Sequence, residues 1–144
     1  MKRLCVSLAV MLVLSGAAAW ADDLSGANRF LCASVQANRC LEGGDCRADV
    51  PWDLNIPEFI EVDLAAKKLS TTAASGENRS TPIAHVTREN GVIVLQGLEM
   101  GRAFSFVITE ETGRVAVAVA SEGTATAVFG ACTPQPAIAA PRAK

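Results

Sequence analysis

The chain has 144 residues, half of them hydrophobic, and a formal net charge of −2 at pH 7. This length suits one domain with a hydrophobic core. A mildly acidic chain without a basic cluster is a poor match for nucleic acid or for an anionic membrane surface, so we expect neither as a partner.

Residues 1–21 have the three-part pattern of a secretory signal peptide. Lys2 and Arg3 precede an apolar run that ends at Leu14, and residues 19–21 form an A-x-A cleavage pattern. The apolar run is shorter than the roughly 20 residues that span a bilayer. Cleavage leaves residues 22–144, with 11 basic and 15 acidic residues. The sequence therefore predicts a periplasmic or secreted protein of Gram-negative type, with no membrane span after cleavage.

The cysteines that remain after cleavage are Cys32, Cys40, Cys46 and Cys132. Thiols of exported proteins meet an oxidising environment and pair. Gly43 and Gly44 let the short loop turn back on itself, which favours a Cys40–Cys46 bridge. The remaining pair, Cys32–Cys132, joins the first ordered segment to the last strand and is expected to help seal a barrel.

Metal binding by these cysteines is disfavoured by their spacing. A structural zinc site uses C-x2-C pairs or histidines at ligand spacing, whereas His85 is the only histidine. Redox and haem-attachment motifs are also missing. The sequence therefore predicts two disulfides, no metal and no cofactor.

The chain divides into a short leader, one domain and a tail. Residues 22–28 are expected to be a flexible leader, and residues 133–144, which contain three prolines, a disordered tail. A single β domain is predicted for residues 29–132. Its first segment, residues 30–40, is either the first strand or a short helix.

Period-two alternation of apolar residues dominates the rest of the domain and is typical of half-buried strands. Asn90-Gly91 between two apolar runs indicates a type I′ hairpin. Turn residues recur about every ten residues, so we predict an all-β antiparallel meander, a closed or partly closed barrel of about six to eight strands. The predicted strands cover residues 58–64, a second short strand through Leu69, then 81–88, 92–98, 102–109, 114–120 and 124–132.

Three residues are candidates for ligand binding. Trp52 lies in a loop stiffened by Pro51 and Pro57, where it either stacks on a ligand or plugs one end of the barrel; the plug is favoured, because large aromatic residues dominate small cores. Arg102 and Arg114 each open a strand after a glycine turn and either bind an anion or, by default, form a salt bridge.

An alanine-only strand face, residues 116, 118 and 120, has two interpretations. Small side chains allow another layer to approach closely, or they line a narrow ligand cavity. Close packing is favoured, because protein interiors are normally filled.

Catalytic signals are weak, and we assign no catalytic residue. Glu61 and Asp63 share a strand face, which is more typical of solvent-facing charges that resist aggregation than of a hydrolytic pair. His85 is in the middle of a strand and is interpreted as a surface histidine. No serine has a G-x-S-x-G setting, and no phosphate-binding glycine loop is present. The enzyme alternative is a periplasmic hydrolase that uses Glu61, Asp63 or His85.

Three segments carry a resemblance: NGVIVLQGL, then GRAFSFVI with a glycine-containing turn after it, and AVFGACTP at the end. Over most of the mature chain this pattern resembles small exported bacterial proteins of uncharacterised function. The resemblance implies an envelope location and implies no activity. Similarity to lipocalin-like or lysozyme-inhibitor-like barrels is an analogy of fold only.

These observations predict a non-catalytic binding or protein-interaction module. The expected partner is another envelope protein or a small apolar ligand, and the sequence makes no prediction of oligomeric state. A third hypothesis, an accessory subunit of an envelope complex, predicts a large apolar surface patch.

Overall fold

A computed structural model describes residues 23–135 of the protein. The signal peptide predicted for residues 1–21 and most of the predicted tail, residues 136–144, lie outside the described residues. Ten strands form one antiparallel sheet, and residues 30–40 belong to the first of them instead of a helix. The strands are β1 (Arg29–Leu41), β2 (Cys46–Asp49), β3 (Phe59–Asp63), β4 (Lys68–Thr71), β5 (Ser80–Pro82), β6 (His85–Glu89), β7 (Val92–Glu99), β8 (Arg102–Thr109), β9 (Arg114–Ser121) and β10 (Thr124–Pro134), with short 3-10 helices at Pro51–Leu54 and Ala73–Ser75.

The sheet curls into a half-barrel, which confirms the predicted fold class. Its strand order is β5-β4-β3-β1-β10-β9-β8-β7-β6, and β2 pairs with β1 beside this path. The two end strands, β5 and β6, are consecutive in the chain. Between them, the Ile83 N–H donates to the Lys67 carbonyl and the Ala84 N–H to the Gln96 carbonyl, both at 2.8 Å. The chain itself thus connects the two ends of the curled sheet.

The strand count exceeds the predicted six to eight for two local reasons. The stretch 81–88 divides into β5 and β6 after Pro82, which has no N–H with which to continue a ladder. The four residues of β2, CRAD, are exposed or half-buried, and the segment is too short for its alternation of apolar and polar residues to identify a strand. The Asn90-Gly91 turn is as predicted, with φ values of 52° and 74°.

Strand β1 is the longest strand of the sheet and contains a bulge. It pairs with β10 along its whole length, and the register shifts between Ser34 and Gln36. On its other side the first half of β1 pairs with β3 and the second half with β2. The bulge residue, Val35, is 69% exposed. The extra residue lets Ser34 and Ala37 both face the core.

Both predicted disulfides are present. Cys32 and Cys132 are directly opposite each other on β1 and β10, and Cys40 and Cys46 on β1 and β2. The expectation that Cys32–Cys132 seals the barrel was wrong, because β1 and β10 lie in the middle of the sheet and its two end strands are β5 and β6. The bridge clamps the central strand pair instead.

The core fills the concave side of the sheet, and its largest fully buried side chains include Phe30, Ile93, Leu95 and Ile108. Phe104 and Phe106 meet edge to face, with ring centroids 5.7 Å apart. Leu24, in the predicted leader, is also fully buried. Its N–H donates to the Glu110 carbonyl, so residues 23–28 cover the end of the sheet at which the β8–β9 turn lies.

Candidate ligand-binding site

The opposite end of the sheet, at the β7–β8 turn, is covered by residues 50–57, which we call the cap. Pro51 begins the 3-10 helix, and Asn55 ends it in the left-handed conformation, with a φ of 56°. Pro51 is fully buried and Ile56 is 9% exposed, whereas Trp52 is 54% exposed. The interpretation of Trp52 as the plug was therefore wrong: the turn directs Pro51 and Ile56 inward and leaves the indole on the outer side.

Two arginines and one glutamate hold the cap to the rim of the sheet. Arg79 donates to a Glu99 carboxylate oxygen at 2.9 Å and to the Asn55 carbonyl at 3.2 Å. Arg102 donates to the carbonyls of Leu54 at 3.2 Å and Asn55 at 3.4 Å, and it lies 3.7 Å from Glu99. These side chains are only 19–26% exposed, so Glu99 offsets one of the two positive charges at a partly buried mouth.

An apolar cavity of about 70 Å³ lies beneath the cap, on the concave side of the sheet. Its charged residues, Arg79, Glu99 and Arg102, stand at the mouth. The rest of the lining comes from several strands and is mainly apolar: Ile60, Leu69, Phe104, Phe106, Val117, Val119 and Val128, with the buried hydroxyl residues Ser34, Thr71 and Thr81 among them. The cavity therefore opens at a charged rim and has a mainly apolar lining below it.

A polar groove of about 350 Å³ lies on the other side of the cap. Its walls include Arg39, Asp53, Ser121 and Thr126, and it shares Asn55, Ile56, Arg102 and Val119 with the cavity. The cap thus separates an apolar space from a polar one.

Of the three residues predicted for ligand binding, the structure brings only Arg102 to the cavity. Trp52 lies on the outer side of the cap. Arg114 is exposed at the start of β9, and the β8–β9 register places this residue at the sheet end opposite Arg102.

Sequence reasoning missed Arg79 and Glu99. Arg79 immediately precedes β5, and Glu99 is the last residue of β7. Charged residues are common at such positions, so neither residue stood out in the sequence. No spacing in the sequence relates them, because they meet only through the curl of the sheet.

The residues considered for hydrolysis are dispersed. Asp63 lies 3.7 Å from Arg29 and accepts a hydrogen bond from the Ala66 N–H at 2.8 Å, as a turn residue does. Glu61 is on β3 and His85 on β6, far apart in the strand order, and His85 is exposed. None of the three lines the cavity or the groove.

The alanines of β9 neither line the cavity nor lie beneath a second layer of the described residues; they are exposed on the convex side of the sheet. Cross-strand neighbours extend them into an uncharged surface over four strands, which we call the outer face. Val107 and Phe129 within it are 46% and 45% exposed. The outer face consists of Val94, Gln96, Leu98, Ala103, Ser105, Val107, Ala116, Ala118, Ala120, Ala125, Ala127 and Phe129.

The described residues contain neither a metal-binding cluster nor a membrane-spanning helix. Among residues 23–135, no group of three or more His, Cys, Asp or Glu side chains is arranged to hold a metal ion. No helix in the same range is long and apolar enough to cross a membrane.

No protein-family model matches the chain, and no curated protein matches it either.

Proposed function

We propose that the protein is a non-catalytic binding domain of the bacterial envelope, and that it holds a small apolar ligand, or the apolar end of a larger one, in the cavity beneath the cap. The observation that carries the proposal is the apolar base of the cavity, which opens through a polar rim. Ligand sites typically combine an apolar lining with a few polar groups that orient the ligand.

The rim supports binding in preference to catalysis. The charged groups there are Arg79, Glu99 and Arg102, and each already pairs with another of the three, with the cap, or with Glu77 and Thr81 beside them. A general base must reach a substrate proton within hydrogen-bond distance. Glu61, Asp63 and His85, the residues of the hydrolase alternative, do not line the cavity.

The two disulfides support the envelope location, because such bridges persist in oxidising compartments. We expect the protein recovered from a periplasmic fraction to begin at Asp22. Intact-mass measurement checks this prediction, and an unprocessed chain in the cytosolic fraction would contradict it.

The ligand proposal is tested with 1-hexanol as the apolar probe. We expect saturable NMR shifts of Phe104, Val119 and Val128 in the wild type. Val117→Phe places a ring in the cavity and is expected to weaken binding at least tenfold. Val107→Phe adds the same ring on the outer face and is expected to bind as the wild type does.

Circular dichroism establishes that each variant is folded, because overpacking a core costs about 1–3 kcal/mol. If Val117→Phe unfolds, Val119→Phe, at a half-buried position of the same cavity, replaces it. The absence of saturable shifts in the wild type, or equal affinity in all variants, would overturn the proposal.

A second candidate function is that of a protein-interaction subunit, and the outer face favours it. Outward positions of antiparallel strands are usually polar, whereas twelve neighbouring positions here carry no charge. Large exposed apolar patches mark interaction sites.

Phe129→Asp tests this second function, since it puts a charge at the outer face. In a pull-down from the native periplasm, we expect the wild type to capture a partner protein and the Phe129→Asp variant to fail to capture it. The Thr112→Asp variant, changed in an exposed turn, is expected to capture the partner as the wild type does. Equal capture by both variants contradicts a role of the outer face.

A further inference from the structure

We propose that the cavity and the groove form one bipartite site for an amphiphile with a short apolar end and an acidic head group. The apolar end occupies the cavity, and the acid lies in the groove beside Arg39 and Arg102. This inference rests on the proposed function, because it takes the cavity as the site of the apolar end.

The two spaces are separated by a thin wall. Asn55, Ile56, Arg102 and Val119 contribute to both linings. A ligand that displaces the side chain of Ile56 therefore reaches both spaces at once. Together their volumes reach the lower end of the range for small-molecule sites, roughly 300–1,000 Å³.

The volume of the cavity limits the apolar end. About 70 Å³ is roughly half the volume of an engineered apolar cavity that admits benzene. The cavity therefore admits only the last few carbons of an apolar chain, and the rest of the ligand lies in the larger groove, along Leu54, Ile56 and Val119.

The charges of the groove favour an acid. Its lining contains two arginines, Arg39 and Arg102, and one carboxylate, Asp53. The ion pairs that these arginines make are long: Arg39 lies 3.3 Å from Asp49, and Arg102 lies 3.7 Å from Glu99. Guanidinium groups bind carboxylates through shorter, often paired hydrogen bonds, at about 2.7–2.9 Å. Both arginines can therefore approach a ligand carboxylate more closely than they approach Asp49 and Glu99.

The contacts that hold the cap to Arg102 are also replaceable. Arg102 donates to the Leu54 and Asn55 carbonyls at 3.2 and 3.4 Å, longer than the usual N–H···O distance of about 2.9–3.0 Å. A ligand carboxylate offers charged acceptors in place of these neutral carbonyls. The acid thereby replaces the contacts of Arg102 with the cap, while the contact of Arg79 with the Asn55 carbonyl keeps the cap in place.

Three probes that share one apolar chain test the inference: hexanoate, 1-hexanol and hexylammonium, each titrated by NMR against the wild-type protein. We expect hexanoate to bind about tenfold more tightly than 1-hexanol, the factor of one charge-assisted hydrogen bond. Hexylammonium is expected to bind more weakly than 1-hexanol.

Arg39→Gln is expected to reduce the preference for hexanoate to within about twofold and to leave the affinity for 1-hexanol unchanged. Arg47→Gln is the matched control, because Arg47 pairs with the same Asp49 but is 68% exposed and is not part of the groove. Asp53→Asn, at an exposed position, removes the one carboxylate of the groove and is expected to tighten hexanoate binding alone.

The outcomes separate the two proposals. If 1-hexanol binds in the cavity but hexanoate binds no more tightly, the bipartite site is wrong and the proposed function stands. If neither compound binds, both proposals fail. If Arg39→Gln loses its fold by circular dichroism, Asp53→Asn decides, and an unchanged hexanoate affinity in that variant overturns the inference.

Discussion

Gly130 on β10 lies opposite Ser34, next to the bulge of β1. A Cβ atom at this position would lie 1.9 Å from the Ala33 carbonyl oxygen. Backbone atoms cannot move aside as the end of a flexible side chain does, so glycine is required here for space. The sequence shows only an isolated glycine within a strand pattern, which indicates a bulge or a close backbone approach. It does not identify the segment that the glycine approaches.

Gly130→Ala is expected to lower the free energy of unfolding by about 1–3 kcal/mol, the usual effect of overpacking. Ala125→Val on the same strand, at an exposed position, is the control and is expected to change it by less than about 0.5 kcal/mol. Urea denaturation measures both variants. If the urea midpoint of Gly130→Ala equals that of the wild type, the strands β1 and β10 can move apart to admit a methyl group, and glycine is not required at this position.

Asp23 supplies a prediction about pH. Hydrogen bonds from Ser25, first from its side chain and then from its backbone N–H, lower the pKa of the Asp23 carboxyl from its ordinary value of 3.8. A lowered folded-state pKa stabilises the fold above the ordinary pKa, and this contribution is lost as the pH falls through the lowered value. An NMR titration of Asp23 should have its midpoint below 3.8, and Ser25→Ala should raise it. A midpoint at or above that value contradicts these bonds.

At the scale of elements, the segment before β1 is attached more firmly than a flexible leader would be. Arg88 on β6 donates to the Leu24 carbonyl at 2.8 Å and to the Ala27 carbonyl at 2.9 Å, and it is paired with Glu110. The pattern DDLSGAN contains one large apolar residue, Leu24, too little for periodicity to identify it as part of the core.

Arg88→Gln is expected to free this segment and to lower the free energy of unfolding by about 1.5–3 kcal/mol, as when a hydrogen bond from a charged group is lost. Hydrogen exchange at the Leu24 amide should accelerate accordingly. Arg114→Gln, at an exposed position at the start of β9, is expected to have neither effect. Unchanged Leu24 exchange in Arg88→Gln would mean that burial alone holds the segment.

The candidate site was only partly predictable at this scale. The two prolines indicated a stiff loop, and Arg102 was visible as an arginine at the start of a strand. The direction of Trp52 was not predictable, because it depends on which residue of the 3-10 turn meets the core. Arg79 meets Asn55 across 24 positions of sequence, a contact that no local pattern encodes.

At the scale of the whole molecule, the two disulfides are expected to contribute unequally to stability. Cys32–Cys132 closes a sequence separation of 100 residues and Cys40–Cys46 one of 6. In the chain-entropy model, the longer loop restricts the unfolded chain more, by about 4.7 against roughly 2.4 kcal/mol. The longer bridge also joins the strands that organise the middle of the sheet.

Cys32→Ala/Cys132→Ala is therefore expected to destabilise the protein about twice as much as Cys40→Ala/Cys46→Ala. Urea unfolding of the two double variants, each compared with the wild type, measures the difference. A larger loss from the short bridge would show that native-state contacts of β2, not loop entropy, dominate.

The sequence by itself determined the all-β class, most strand positions, the Asn90-Gly91 turn and both cysteine pairs. The strands and the turn follow from the alternation of apolar residues and from backbone preferences, both of which act within a few residues. The cysteine pairs follow from the short glycine loop, which favours one bridge and leaves two cysteines for the other. Only the tertiary structure decided the burial of Leu24 and the meeting of Arg79, Glu99 and Arg102 above an apolar cavity. Such contacts depend on strand order and on the curl of the sheet, and these arise from packing the whole chain at once.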